Sequence, residues 1–162
     1  MEYIQECTKR NEKLQIVQDD ICEDPRNWDN LTIIATLEQN HSTIGDFQFK
    51  SSDELNEFVK DQEGIYSMPL YIYDHSGISL YCGNDTIPYP FNDQWDAGCI
   101  GMVFTTEALL KEAGLFNSTK KDIIEQMKVE VEQYSYWCNG DCYGFRLSKV
   151  SKCDKCNQVE DE

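Results

Sequence analysis

The sequence predicts an α+β protein, a small and mostly antiparallel sheet with two or three helices and a zinc-stapled C-terminal segment. Three observations predict it. Short β-branched or alternating runs (LTIIATL at 31–37, LYIY at 70–73, ISLY at 78–81, CIGMVF at 99–104) have the composition of strands. Between and after them lie stretches with apolar residues at helical spacing, each opened by a Ser or Thr suited to capping. Finally, four of the eight cysteines fall between 138 and 156. At 162 residues and 40% hydrophobic, the chain is long and apolar enough to bury a core despite its charge.

The elements follow in order. Residues 1–30 are polar with scattered apolar positions, and Leu14 to Val17 fits a short strand or a piece of helix. LTIIATL, apolar without alternation, predicts a buried strand. Ser51-Ser52-Asp53-Glu54 is a capping box for a helix whose inner face is Leu55, Phe58 and Val59, closed by Gly64. Residues 70–81 alternate, break at Asp74–Gly77 and alternate again, which predicts a hairpin. Asp74 would open its turn and Gly77 would take the left-handed position.

CIGMVF predicts another strand, after which Thr105 or Thr106 caps a brief helix ended by Gly114. Ser118 or Thr119 opens the longest helix, with Ile123, Ile124, Met127, Val131 and Tyr134 on the face that packs on the sheet. It should stop near Asn139-Gly140, and residues 142–150 form a last strand before CDKC and an acidic tail. The expected division is a core domain at 1–137 with a four-cysteine segment, 138–162, packed on it.

Cys138-x3-Cys142, ten residues, then Cys153-x2-Cys156 supplies four thiolates in two close pairs. Tetrahedral Zn²⁺ takes four soft ligands, and pairs this close let one turn of backbone provide two adjacent corners. A closed thiolate shell leaves no open position, so the expected metal is structural. Two other readings of these residues stay open: ordinary small core side chains with a flexible terminal thiol pair, or disulfides in a secreted protein. The start Met1-Glu2-Tyr3-Ile4-Gln5-Glu6 lacks a basic segment followed by an apolar run, and no stretch approaches eighteen apolar residues. The expected home is therefore cytosol, where disulfides are rare. Cys7, Cys22, Cys82 and Cys99 have no ligand spacing and are expected to be small hydrophobes.

The formal net charge is −16, which argues against bare nucleic acid as a partner, because phosphate binding needs Lys and Arg to release counterions. From Ile65 to Leu110 there is no Lys or Arg at all. Such a stretch serves solubility or docks on a basic groove. Within it lie the aromatic residues Tyr81, Tyr89, Phe91 and Trp95, either a contact surface or a long loop folded onto the sheet. The expected partner surface is Asp74, Asp85, Tyr89, Phe91, Asp93, Trp95 and Asp96. Asp74, His75 and Asp96 also suit a metal site or an acid–base pair, with a plain hairpin tip as the structural alternative. His41, in a polar loop, is expected to be solvent-exposed. No P-loop, GxGxxG or HExxH is present, so a non-enzymatic role is expected.

Asp24-Pro25-Arg26-Asn27-Trp28-Asp29-Asn30, Ile44-Gly45-Asp46, Pro69 to Ile78, Trp95-Asp96-Ala97-Gly98 and Gly140-Asp141-Cys142-Tyr143-Gly144-Phe145 occur in this order. This ordered set resembles a family of small acidic proteins encoded by phages and other mobile elements of Gram-positive bacteria. The resemblance spans roughly Asp20 to Leu147. It implies action in the host bacterial cytoplasm and, for a small acidic protein of that setting, counter-defence. The expected role is that of an anti-CRISPR protein, inhibiting a Cas9-type nuclease by competing for its basic nucleic-acid surfaces. The alternatives are a metal-dependent enzyme acting on nucleotides or nucleic acid, and an antirestriction or regulatory protein. Two positions depart from the family. Gln39 to Thr43 replaces a basic, aromatic stretch, and Cys142 stands in a Gly-x-Val-Tyr-Gly pattern. The zinc expectation therefore rests on spacing alone.

Overall fold

The computed structural model describes residues 3–38, 44–83, 95–152 and 159–161. Its fold is α+β, in two compact units: residues 23–139, and residues 1–22 together with 140–162. The expected division at 137/138 differs on the N-terminal side, where residues 12–18 pair with residues 143–149 and so group with the smaller unit.

In the larger unit, β3 (Ile33–Leu37), β4 (Phe47–Phe49), β5 (Ile65–Asp74), β6 (Ile78–Cys82) and β7 (Ala97–Thr105) make one sheet of order β4-β3-β7-β5-β6. Every pairing is antiparallel except β3 with β4. Residues of β3 and β7 alternate between two separate cores. Ile34 and Val103, opposite one another, join the cluster of Leu70, Ile123, Met127, Val131 and Tyr134. Ala35, Ile33, Met102 and Phe104 join the cluster of Leu55, Val59 and Phe58. The sheet is thus covered on one face by α3 (Lys120–Cys138) and on the other by α1 (Ser52–Asp61). A strand apolar on both sides reads as a continuous hydrophobic run, which is why LTIIATL does not alternate.

The helix caps follow the sequence. The Ser51 hydroxyl accepts from the Glu54 N–H, and the Thr119 hydroxyl from the Asp122 N–H. Thr106 accepts from the Leu109 N–H to start α2 (Glu107–Glu112), and Gly114 (φ +70) follows its end. Four left-handed positions, however, are not glycines, Arg10 (φ 59) and Tyr66 (φ 52) among them. Glu63 (φ 52) turns the chain after α1, and Ser76 (φ 64) turns the β5–β6 hairpin. Gly64 and Gly77 sit instead where other groups approach closely. A Cβ on Gly64 would meet Phe104 and Val59, and one on Gly77 would meet the Asn139 side chain.

In the smaller unit, β1 (Tyr3–Lys9), β2 (Glu12–Gln18) and β8 (Tyr143–Lys152) form an antiparallel sheet, with β9 (Val159–Asp161) paired to the far end of β8. Of these, only β8 was expected as a strand outright. β1 reads YIQECTK, with a polar or charged residue at most positions, and carries no hydrophobic alternation to reveal it. Cys22 and Cys142 form a disulfide in this unit, and the Asp19 N–H donates to the Cys142 carbonyl beside it. Cys22 is therefore not the plain hydrophobe its spacing suggests.

Candidate functional site

Of the four expected metal ligands, Cys138 and Cys142 fall among the described residues, one in each unit. Cys138 ends α3 in the larger unit, where burial pushes its thiol pKa up to about 11. Cys142 lies in the smaller unit, bonded to Cys22. Cys153 and Cys156 fall outside the described residues. No group of three or more His, Cys, Asp or Glu among the described residues is arranged to hold a metal. Cys82 is buried, as expected of a small hydrophobe, and Cys7 and Cys99 are exposed, against that expectation.

Of the expected partner surface, Asp85, Tyr89, Phe91 and Asp93 lie outside the described residues, as does His41. Asp74, Trp95 and Asp96 are described, and Trp95 is 90% exposed. Here the structure brings two separated pieces of sequence together. His75 Nδ1 lies 2.6 Å from Asp96 Oδ2, and the Asp74 N–H donates to the Asp96 carbonyl at 2.7 Å. The His75 ring stacks on Tyr73, with centroids 6.0 Å apart. The Ile78 N–H and the Asn139 side-chain oxygen, 3.1 Å apart, tie the hairpin to the end of α3. A histidine held through Nδ1 by a carboxylate has its Nε2 oriented for proton transfer, one half of an acid–base device.

The second constellation combines the Asp24–Asn30 and Ile44–Asp46 motifs. Asp24 accepts from the Arg26 N–H and caps a 3-10 turn, Pro25–Asn27, with Pro25 at its start. The turn aims Arg26 inward. Its Nε and Nη2 donate to the two Asp46 carboxylate oxygens at 2.9 and 2.7 Å, and its remaining bonds go to the Thr32 hydroxyl and carbonyl. The guanidinium also lies over the Tyr134 ring, 5.9 Å from its centroid. Asp46 reaches it because Gly45 (φ +94) presses against Ile34, where a Cβ would lie 3.0 Å from the Ile34 carbonyl oxygen. The Tyr134 hydroxyl accepts from the Gly45 N–H, and Glu130 accepts from the Leu31 and Thr32 N–H groups.

Above this network opens a cavity of about 390 Å³. Its walls include the half-exposed rings of Trp28 and Phe47; Leu109, Asp29 and Glu112 also line it. Sequence reasoning did not assemble this site. The motif residues were visible, but nothing local shows that Arg26 meets Asp46 or that α2 lines the same cavity.

On the smaller unit, the in-register pairs Leu14–Leu147 and Ile16–Phe145 share one face of the sheet. Leu14, Phe145 and Leu147 on it are exposed, whereas Gln15, on the opposite face, is buried. CYGFRLSKV was legible as a strand, but not that its apolar side would be exposed among the described residues.

No helix among the described residues is long and apolar enough to cross a membrane. No family model matches the chain, and neither curated proteins nor solved structures provide a match.

Proposed function

We propose that the protein is a counter-defence factor of a phage or other mobile element. In this reading it acts in the host cytoplasm and inhibits a Cas9-type nuclease without being an enzyme. One observation supports the reading above others: the distribution of charge between the two units. Residues 23–139 carry twenty acidic and seven basic side chains, against ten and seven in residues 1–22 and 140–162. An acidic body of this kind matches a groove whose Arg and Lys side chains are held ready for nucleic acid. Association would then be fast and salt-sensitive, because exposed charges are screened within a Debye length.

The contact surface proposed is Asp74, Asp85, Tyr89, Phe91, Asp93, Trp95 and Asp96. The test is the nuclease's DNA cleavage with the protein and with its Asp85→Lys/Asp93→Lys variant, at low and at high salt. The variant should inhibit more weakly and show a flatter salt dependence. Undiminished inhibition would remove this face from the account.

The short His75–Asp96 hydrogen bond favours a second reading, an acid–base enzyme acting on nucleotides or nucleic acid. His75→Ala discriminates between the two. A binding protein keeps its inhibitory action in that variant, and an enzyme loses turnover.

For the reduced chain we propose a structural Zn²⁺ on Cys138, Cys142, Cys153 and Cys156. Cys142 cannot serve as a thiolate ligand while bonded to Cys22, so metal and disulfide exclude one another. Protein purified under reductant should hold one zinc per chain and lose it as the disulfide forms. Absence of zinc from the reduced protein would eliminate the site.

A further inference from the structure

We infer that the cavity beside Trp28 is a receptor for an arginine side chain presented by a partner protein. The inference rests on the reading above that the protein acts by binding a basic partner, and it names a place for one of that partner's contacts.

The polar floor of the cavity is already engaged. Arg26 makes four hydrogen bonds to Asp46 and Thr32, and its side chain is only 8% exposed. Its charge is matched by the bidentate Asp46 carboxylate, so among the described residues the floor offers no free cation to a phosphate or carboxylate. The Asn30 side-chain nitrogen donates to the Pro25 and Trp28 carbonyls, which leaves its oxygen as an acceptor.

The Asp29 and Glu112 carboxylates on the lining have no hydrogen-bond or ion-pair partner among the described residues. The side-chain oxygens still available therefore accept, and two of the three groups carry negative charge. The walls suit the same ligand. Trp28 is 54% and Phe47 46% exposed, so each offers ring surface to whatever enters. A cation over an aromatic face is attracted by the ring quadrupole, most strongly with Trp.

A guanidinium fits these features better than an ammonium. It is planar, stacks on rings, is weakly hydrated and donates to two carboxylates at once. The volume, about 390 Å³, exceeds what one guanidinium fills and leaves room for the aliphatic stem and adjoining backbone.

The test uses the full chain, uniformly ¹⁵N-labelled, titrated with acetyl-Gly-Arg-Gly-amide and, separately, with the neutral citrulline analogue. The arginine peptide should shift the Trp28 indole N–H and the Phe47 amide, and the citrulline peptide should not. Trp28→Ala, and separately Asp29→Asn/Glu112→Gln, should each weaken the arginine response by about tenfold or more. Both substitutions are at surface positions, and the amide spectrum itself reports whether each variant is folded. Equal response to the two peptides, or shifts confined to residues outside the cavity, would overturn the inference. Free arginine binding as tightly as the peptide would overturn it in favour of a small-molecule ligand. Capture of the nuclease by the same variants separates the two claims. Capture undiminished in both variants would overturn the cavity's role and leave the nuclease reading standing. Peptide recognition without nuclease capture would do the reverse.

Discussion

Removing the Asp46 carboxylate should unravel the larger unit from its motif-built corner. In Asp46→Ala two charge-assisted hydrogen bonds to Arg26 disappear, at 2.9 and 2.7 Å, along with the acceptor of the Ile34 N–H at 2.7 Å. The Arg26 side chain, 8% exposed, then keeps its charge with only the neutral oxygens of Thr32 to receive it. Breaking one partner of a buried pair costs about 3–5 kcal/mol. Asp46 itself is 21% exposed, so water can reach the orphaned guanidinium, which places the expected loss at about 3 kcal/mol.

The assay is urea unfolding followed by tryptophan fluorescence. Trp28, Trp95 and Trp137 all lie in residues 23–139, so the signal reports this unit alone. A double-mutant cycle with Arg26→Ala completes the test. If the two side chains act through one another, the double variant should be less destabilised than the sum of the singles by about 2 kcal/mol. A loss under about 1 kcal/mol, the range of an exposed pair, or an additive cycle would refute the reasoning.

Three further outcomes follow from the packing of the same unit. Gly101→Ala should be severely destabilising, about 3 kcal/mol or more, because the new Cβ collides with the Ala35 carbonyl and the Thr36 backbone on β3; a near-normal thermal midpoint would contradict this. Thr105→Val should be neutral or stabilising by about 1 kcal/mol, since the Thr105 hydroxyl is buried without a hydrogen-bond partner among the described residues; a clear loss of stability would reveal a partner. Burial raises the thiol of Cys82 to about 12 and that of Cys138 to about 11, and raises the Tyr134 phenol as well. The folded state holds these protons more tightly than the unfolded state. The stabilisation is therefore complete below the ordinary thiol value of 9.0 and is lost as pH rises through the folded values. The urea midpoint should fall as pH rises from about 9 to about 11, and less steeply in Cys82→Ala; identical slopes would exclude the thiol as the cause.

The sequence by itself determined the α+β class and, to within one residue, the start of each described α-helix. A cap is a bond between residues three apart, and Ser51, Thr106 and Thr119 each had their partner within view. It also determined the strands of the larger sheet that carry strong hydrophobic runs, from LTIIATL to CIGMVF. It did not determine which residues take left-handed turns. Glu63 and Ser76 do so, while Gly64 and Gly77 sit where Phe104 and the Asn139 side chain approach, and that crowding exists only after folding.

Long-range pairings were equally hidden. Arg26 meets Asp46 across 20 positions, Glu130 reaches the Leu31 N–H across 99, and Cys22 finds Cys142 across 120. Spacing signals a site only when its residues are neighbours in the chain, as Cys138 and Cys142 are. Tertiary structure gave Cys142 a partner in Cys22, and it assembled the Trp28 cavity from three segments whose individual sequences carry no sign of it. The physical reason is common to all three cases. The energy of such contacts depends on burial and geometry supplied by the whole fold, and neither is written in any local stretch.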